Sequence, residues 1–316
     1  MTELSNISTL PADIDLVSAY NSYTSFIDAT PRTIQTYTGN IRQFIKWTQE
    51  NGINRPARED IIAYREELKT RCKPTTVQSY ITALRIFFQW TAQAGIYPNI
   101  AERIKGVKLD NGHKKDYLNA DQVKDILDSI ETETAQGKRN YCILSLMVTG
   151  GLRDIEVSRA NIEDLQQLGG HTVLYLQGKG REDRTEFIKI VPEVEKAIRE
   201  YLKTRKTAKG QDALFSSLSN NSRGQRLTPK SISTIAKNIF ISAGYNSDRI
   251  TAHSLRHTAV TLSLMGGLPI DEVQQFARHK NISTTQIYAH NLDRMNNRSE
   301  NTIANSVFRG KGKKWK

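Results

Sequence analysis

The stretch TVLYLQGKGREDRTEFIKIV, residues 172–191, decides the fold class. Its two ends, 172–176 and 185–191, are rich in β-branched and aromatic residues, the composition of strands. Between them QGKGREDR (177–184) is glycine-rich and charged, so the whole predicts a β-hairpin. The sequence around it is helical. Residues 192–204 return to helix, Thr228-Pro229 opens another, and a further helix runs from near Ser254 to Gly266-Gly267. Upstream, 141–148 predicts a buried helix ending at Gly150-Gly151. Before that, Asn119 N-caps a helix with Val123, Ile126, Leu127 and Ile130 on one face. The expectation is a mainly α fold with one small antiparallel sheet.

The N-terminal third is expected to be helical throughout. Thr30-Pro31 supplies an N-cap and a proline for the first turn, and Gly52 closes the segment. Ile34, Tyr37, Ile41, Phe44 and Ile45 recur at steps of three and four between them. A second helix covers 58–71, and a third starts at Pro74-Thr75 and carries Val77, Tyr80, Ile81, Leu84, Phe87, Phe88 and Trp90 before Gly95. A chain of 316 residues is about twice the usual domain size. The division read from it is a helical domain at 12–105, a linker at 106–117, a mixed α+β domain at 118–308 and a basic tail at 309–316.

Charge narrows the partners. Lys and Arg number 45 against 33 Asp and Glu, for a net charge of +12. No Lys or Arg precedes Arg32, so the excess belongs to the rest of the chain. Such an excess favours a polyanion, nucleic acid before a membrane surface. The N-terminus lacks the basic and apolar regions of a secretory signal, and no apolar run approaches the roughly 20 residues of a membrane span. Cys72 and Cys142 cannot make a disulfide framework or a zinc knuckle. The expected setting is cytoplasmic, with no membrane partner.

His253, His257, His279 and His290 invite a metal reading, but Ser254 stands where a zincin needs Glu. Gly178-Lys179 is followed by Gly180 rather than Ser or Thr, so no phosphate loop is present. Neither metal nor cofactor is expected. Arg153 lies just past a helix break, Arg256 three residues after His253, and Tyr288 nine after His279. Two arginines can hold phosphate oxygens bidentately, and a phenol can attack phosphorus. A cation such as Lys179, at the hairpin tip, can protonate a leaving oxygen. Each has a plainer reading alone: a surface arginine, a capping pair, a packed aromatic, a simple turn.

The segments TGGLRDIE (149–156), QGKGREDR (177–184), HSLRH (253–257) and RHKNISTTQIYAH (278–290) together resemble the tyrosine recombinases, the phage-integrase family, in order and spacing. The resemblance runs from about residue 14 to 300 and implies a two-domain architecture, a helical core-binding domain plus a mixed α+β catalytic domain. It implies that Arg153 and Arg256 bind the scissile phosphate, and that Lys179 protonates the 5′ oxygen. His253 is then a general base or phosphate ligand, His279 a hydrogen-bond donor to phosphate, Tyr288 the nucleophile and Glu156 a support. It further implies double-stranded DNA sites, four protomers on two of them, strand exchange through a Holliday junction, and an accessory directionality factor as a further partner. One departure stands out: Arg278 occupies the place of the family's glycine before the second histidine, which argues for an altered turn or for an added phosphate contact. Arg42, Lys46, Lys73 and Arg85 in the first domain, and Lys230 and Lys237 in the second, are candidate DNA contacts or simply solvated helix faces. Beside site-specific recombination stand two alternatives, a DNA-relaxing enzyme of the type IB topoisomerase class and a DNA-binding regulator with a decayed site.

Overall fold

The structure is a computed structural model that describes residues 16–108, 116–177, 183–296 and 298–308. Lys179, most of the linker and the basic tail lie outside the described residues. The chain divides into two compact units, Met1–Asn111 and Gly112–Lys316. Among the described residues no helix is long and apolar enough to cross a membrane.

The first unit is built from α1 (Leu16–Phe26), α2 (Pro31–Glu50), α3 (Arg58–Arg71) and α4 (Pro74–Gln93). Thr30 caps α2 by accepting the Thr33 N–H, and Pro31 opens its first turn, where a missing N–H costs nothing. The stripe on α2 buries Ile41, Phe44 and Ile45 against Ile61, Tyr64 and Leu68 of α3 and the apolar face of α4. Its centre is aromatic: Phe44 meets Tyr64 edge-on at 5.3 Å, and Phe87 meets Phe88 at 5.1 Å. Edge-to-face pairs of this kind add about 0.5–1.5 kcal/mol each beyond their buried area. Helix α1 adds Leu16, Ala19 and Tyr23 to the same core.

The second unit centres on α6 (Ala135–Gly150), buried along most of its length and surrounded by α5 (Ala120–Asp128), α8 (Pro192–Lys203), α9 (Pro229–Ser242) and α10 (Ala252–Met265). Asn119 caps α5 and exchanges bonds with Gln122. The hairpin strands are β2 (His171–Leu176) and β3 (Glu186–Lys189), paired antiparallel with Leu174 opposite Ile188. A third strand, β1 (Leu165–Leu168), pairs with β2 at the sheet edge and was not expected. Its LQQL sequence exposes both glutamines and lacks the alternation that marks a half-buried strand. The short α7 (Asp154–Arg159), then α11 (Ile270–Ala277), α12 (Ile282–Asn296) and α13 (Ser299–Phe308) complete the described elements.

Of the two glycines that end α6, Gly151 is required by its backbone and Gly150 lies close to β3. Gly151 has φ +57° and turns the chain out of the helix. A side chain at Gly150 would strike Ile188 of β3. The pair brings Arg153 round to the start of α7, facing α10 and α11.

Candidate active site

Arg153 precedes α7, and its backbone N–H donates to Glu156 Oε2 at 2.9 Å while its Nη1 reaches Oε1 at 2.8 Å. Glu156 is 1% exposed. Burial opposes its charge, but Arg278 and Arg153 outweigh that and hold the carboxyl below its ordinary value. Arg153 itself is 28% exposed, so its side chain is only partly enclosed.

Arg256 is the largest fully buried side chain, at 2% exposure. It rises from the second turn of α10, where Nη1 donates to Gly151 O at 2.5 Å and Nη2 to Ala277 O. One arginine thereby ties the ends of α6 and α11 together, at the carbonyl ends where a helix dipole favours a cation. Burial, with Arg153 and Arg278 close by, lowers it to about 9, so it stays charged at neutral pH.

Arg278 ends α11 in the left-handed region, φ +53° and ψ +44°. This corrects the expected alteration of the turn: the backbone does what a glycine would do there, at a cost of about 1–2 kcal/mol for a side-chain-bearing residue. The side chain is 6% exposed and points inward, its Nη2 at 3.0 Å from Gly151 O and 3.1 Å from Glu156 Oε2. Nη1 donates to Phe276 O at 2.8 Å.

His279 follows, its Nδ1 2.9 Å from the buried Thr285 hydroxyl. Burial first, then Arg256, Arg153, Arg278 and His253, lowers its imidazole to about 4. The ring lies nearly parallel to Tyr288, with centroids 6.3 Å apart. Tyr288, on α12, is 6% exposed and packs among Val260, Val273 and Ala277. Its hydroxyl hydrogen-bonds His257 Nδ1. Burial pushes the phenol up to about 12, while Arg256 and Arg153 pull the other way. His253 is exposed, one turn before His257, and the two rings meet edge-on at 4.6 Å.

Five of the six residues singled out for catalysis, Arg153, His253, Arg256, His279 and Tyr288, therefore share one neighbourhood. The sixth, Lys179, lies outside the described residues. Two neighbours escape a reading of the sequence, His257 as partner of the phenol and Thr285 as partner of His279. The spacing of His253 and His257 does put them on one helix face, but it suggests a metal pair rather than a partner for a tyrosine.

The phage integrase family model matches residues 116–295, more than half of the chain, and a phage integrase N-terminal SAM-like domain matches 16–96. The chain belongs to the phage integrase family. It is 33% identical over 198 residues to the tyrosine recombinase XerC of Caldanaerobacter subterraneus, covering 62% of this chain and 52% of that protein. It is 32% identical over 179 residues to the tyrosine recombinase XerD of Listeria innocua, covering 55% and 57%. The matches thus span little more than half the length of these relatives. Among solved structures, the XerH site-specific recombinase bound to palindromic difH substrate superposes with a TM-score of 0.69 at 23% identity, covering 86% of this chain and 79% of that one. A lambda integrase dimer bound to a COC′ core site gives 0.66 at 16%, covering 86% and 76%. At these identities the likeness is one of fold.

The candidate DNA contacts of this family member differ in how free they are. Lys73 and Lys230 are exposed and Arg85 half-buried. Exposed Arg42 donates to the Tyr20 hydroxyl at 3.0 Å, and exposed Lys46 pairs with Glu50 at 3.4 Å. Lys237 departs from the expectation of a groove-facing cation: its ammonium donates to Ser247 O at 2.6 Å and ties α9 to the following loop. Ser233 on the same helix donates to Asp154 at 2.9 Å.

Proposed function

We propose that this chain is a site-specific recombinase that cuts and rejoins double-stranded DNA through a 3′-phosphotyrosyl bond at Tyr288. The observation that carries the reading is the convergence of Tyr288, His279, His257 and the arginines 153 and 256 on the joined ends of α6 and α11. Arg153, partly exposed, and Arg256, fixed by two carbonyls, offer preorganised positive charge to a phosphate. In cleavage the Tyr288 oxygen bonds to phosphorus as the bond from phosphorus to the 5′ oxygen breaks. The phenol gives up its proton, for which the His257 Nδ1 it already touches is the nearest acceptor. Lys179 gives the departing 5′ oxygen a proton, and His253 and His279 hold the phosphate. Rejoining runs the same steps backwards with a new 5′ hydroxyl. The phosphotyrosyl bond conserves the energy of the phosphodiester, so neither nucleotide nor metal enters.

Four protomers on two DNA sites would exchange strands in pairs through a Holliday junction. Helix α13 suits a role in that assembly, since it buries none of its residues and exposes Ile303, Val307 and Phe308. Exposed Lys73 and Lys230 and half-buried Arg85 are the cations proposed to meet phosphates.

The test uses nicked duplexes from a pool of randomised inverted repeats around a short spacer, with active duplexes selected by covalent capture. Wild type should become covalently linked and Tyr288→Phe should bind without linking. On a substrate with sulfur at the bridging 5′ position, which needs no proton to depart, Lys179→Ala should recover to near the wild-type rate. A general acid is worth about 10²–10⁴-fold on the ordinary substrate. Rescue of Arg153→Ala and Arg256→Ala by sulfur, with Lys179→Ala left slow, would exchange the roles of the lysine and the arginines.

A further inference from the structure

Arg278 stands where the family resemblance has glycine, and its surroundings carry an inference that rests on the functional reading above. The backbone there keeps the left-handed conformation, which glycine would adopt with less strain. An arginine tolerated at such a position must return something through its side chain. That side chain is almost fully buried and spends its Nη groups on Gly150 O, Gly151 O, Phe276 O and one oxygen of Glu156. Its guanidinium is thus turned into the protein, which answers the open reading of Arg278 as a direct phosphate contact: the Nη donors are engaged elsewhere.

The consequence is one of charge. Glu156 faces two cations, Arg153 on Oε1 and Arg278 on Oε2. With glycine at 278, Glu156 would face Arg153 as its one ion-pair partner and would largely neutralise it. With arginine there, three guanidiniums (153, 256 and 278) gather around Glu156, and Glu186 of β3 acts on Arg278 as well. We propose that Arg278 is a positioning residue that shares the Glu156 carboxylate and braces the end of α6, leaving the partly exposed Arg153 its charge for the scissile phosphate. The groups around His279 are Arg256 and His253 on α10, Arg153 before α7, Arg278 beside it, the Tyr288 ring on α12, and Glu186 of β3, Asp271 of α11 and Lys280, which line a cavity with it. The contact between Nδ1 and the Thr285 hydroxyl fixes the orientation of the His279 ring, and the lowered imidazole meets a phosphate as a neutral hydrogen-bonding group rather than a titrating one.

The experiment compares wild type with Arg278→Gly and Arg278→Lys in the full chain, by two readouts. The first is the rate of covalent joining on a duplex selected from the nicked pool, with affinity measured separately. Arg278→Gly should slow joining by about 10²-fold, the scale of a misplaced catalytic group, with affinity nearly unchanged. Arg278→Lys keeps the charge without the fan of donors and should fall between. The second readout needs no DNA activity: the titration of His279 followed by NMR in histidine-labelled protein. Its midpoint should rise in Arg278→Gly and rise less in Arg278→Lys. Wild-type joining and an unmoved midpoint in Arg278→Gly would overturn the inference and leave Tyr288 its role. Slower joining with an unmoved midpoint would mark general loosening and would overturn it as well. If wild type links to no duplex, the functional reading fails, and the His279 titration alone decides the charge argument.

Discussion

The two units hold themselves together by opposite means. The core of α2, α3 and α4 is a packed set of rings, Phe44, Tyr64, Phe87 and Phe88, with the Glu67 carboxylate accepting from the Trp47 indole N–H at its margin. The second unit buries charge: Glu156 and Arg256 are among its least exposed side chains, with Arg278 nearly as deep. Burying charge is costly unless every partner is in place. A fold that needed only stability could fill that space with leucine. The difference separates a unit held by apolar packing from one that buries charge at a cost in stability, as the phosphate chemistry proposed for the second would require.

The largest expected effects come from removing the centre of each core. Glu156→Gln leaves the buried Arg278 and the partly exposed Arg153 sharing a neutral amide and should cost about 3–5 kcal/mol in the second unit. Phe44→Ala should cost a similar amount, about 3–5 kcal/mol, in the first. Hydrogen exchange read by mass spectrometry separates the two units. If Glu156→Gln loosened the first unit as much as the second, the contrast would break.

Acid should sharpen the contrast further. Glu156 has a depressed carboxyl, so its stabilisation is present above the unfolded value of about 4.3 and is lost as pH falls through the lower folded value. His279 is neutral in the folded chain down to about 4, whereas unfolded it takes a proton near 6.5. Between those values the unfolded state binds more protons, so stability declines as pH drops from about 6.5 to about 4. In the first unit the carboxyl held low is Glu66, paired with Lys69 and Arg65 at the surface, where such pairs contribute little. Exchange protection in the second unit should therefore fall over this range while the first changes little. Equal acid sensitivity in both would contradict the assignment of buried charge.

The smallest effect expected is at a helix end. Thr30→Ala removes the cap of α2 and should cost about 1 kcal/mol, confined to the first unit, as measured by denaturant unfolding.

The same contrast explains what could be read before the structure. Stripes such as Ile41, Phe44 and Ile45, and the paired ends around QGKGREDR, carry their periods in the sequence. Caps at Thr30, Asn119 and Thr228 mark their helices by residue type alone. Strand β1 escaped because an exposed edge strand of glutamines has no apolar alternation to show. In the site, the motif residues were visible through the family resemblance, which the order and spacing of four segments carried, whereas each residue alone had a plainer reading. What was hidden is pairing across distance: His257 to Tyr288, 31 positions apart, and Arg278 to Glu156, 122 apart. No local pattern encodes such meetings. The bond from Lys237 to Ser247 O was hidden for the same reason, since that carbonyl belongs to the loop after its helix.

The central claim is that Tyr288 becomes joined to DNA, and identifying the linked peptide tests it most directly. Wild-type chain captured on a nicked duplex would be digested with nuclease and trypsin and sequenced by tandem mass spectrometry. The account predicts a nucleotide remnant on the tryptic peptide NISTTQIYAHNLDR, residues 281–294, at its single tyrosine. A remnant on any other residue, or a link that persists in Tyr288→Phe, would contradict it.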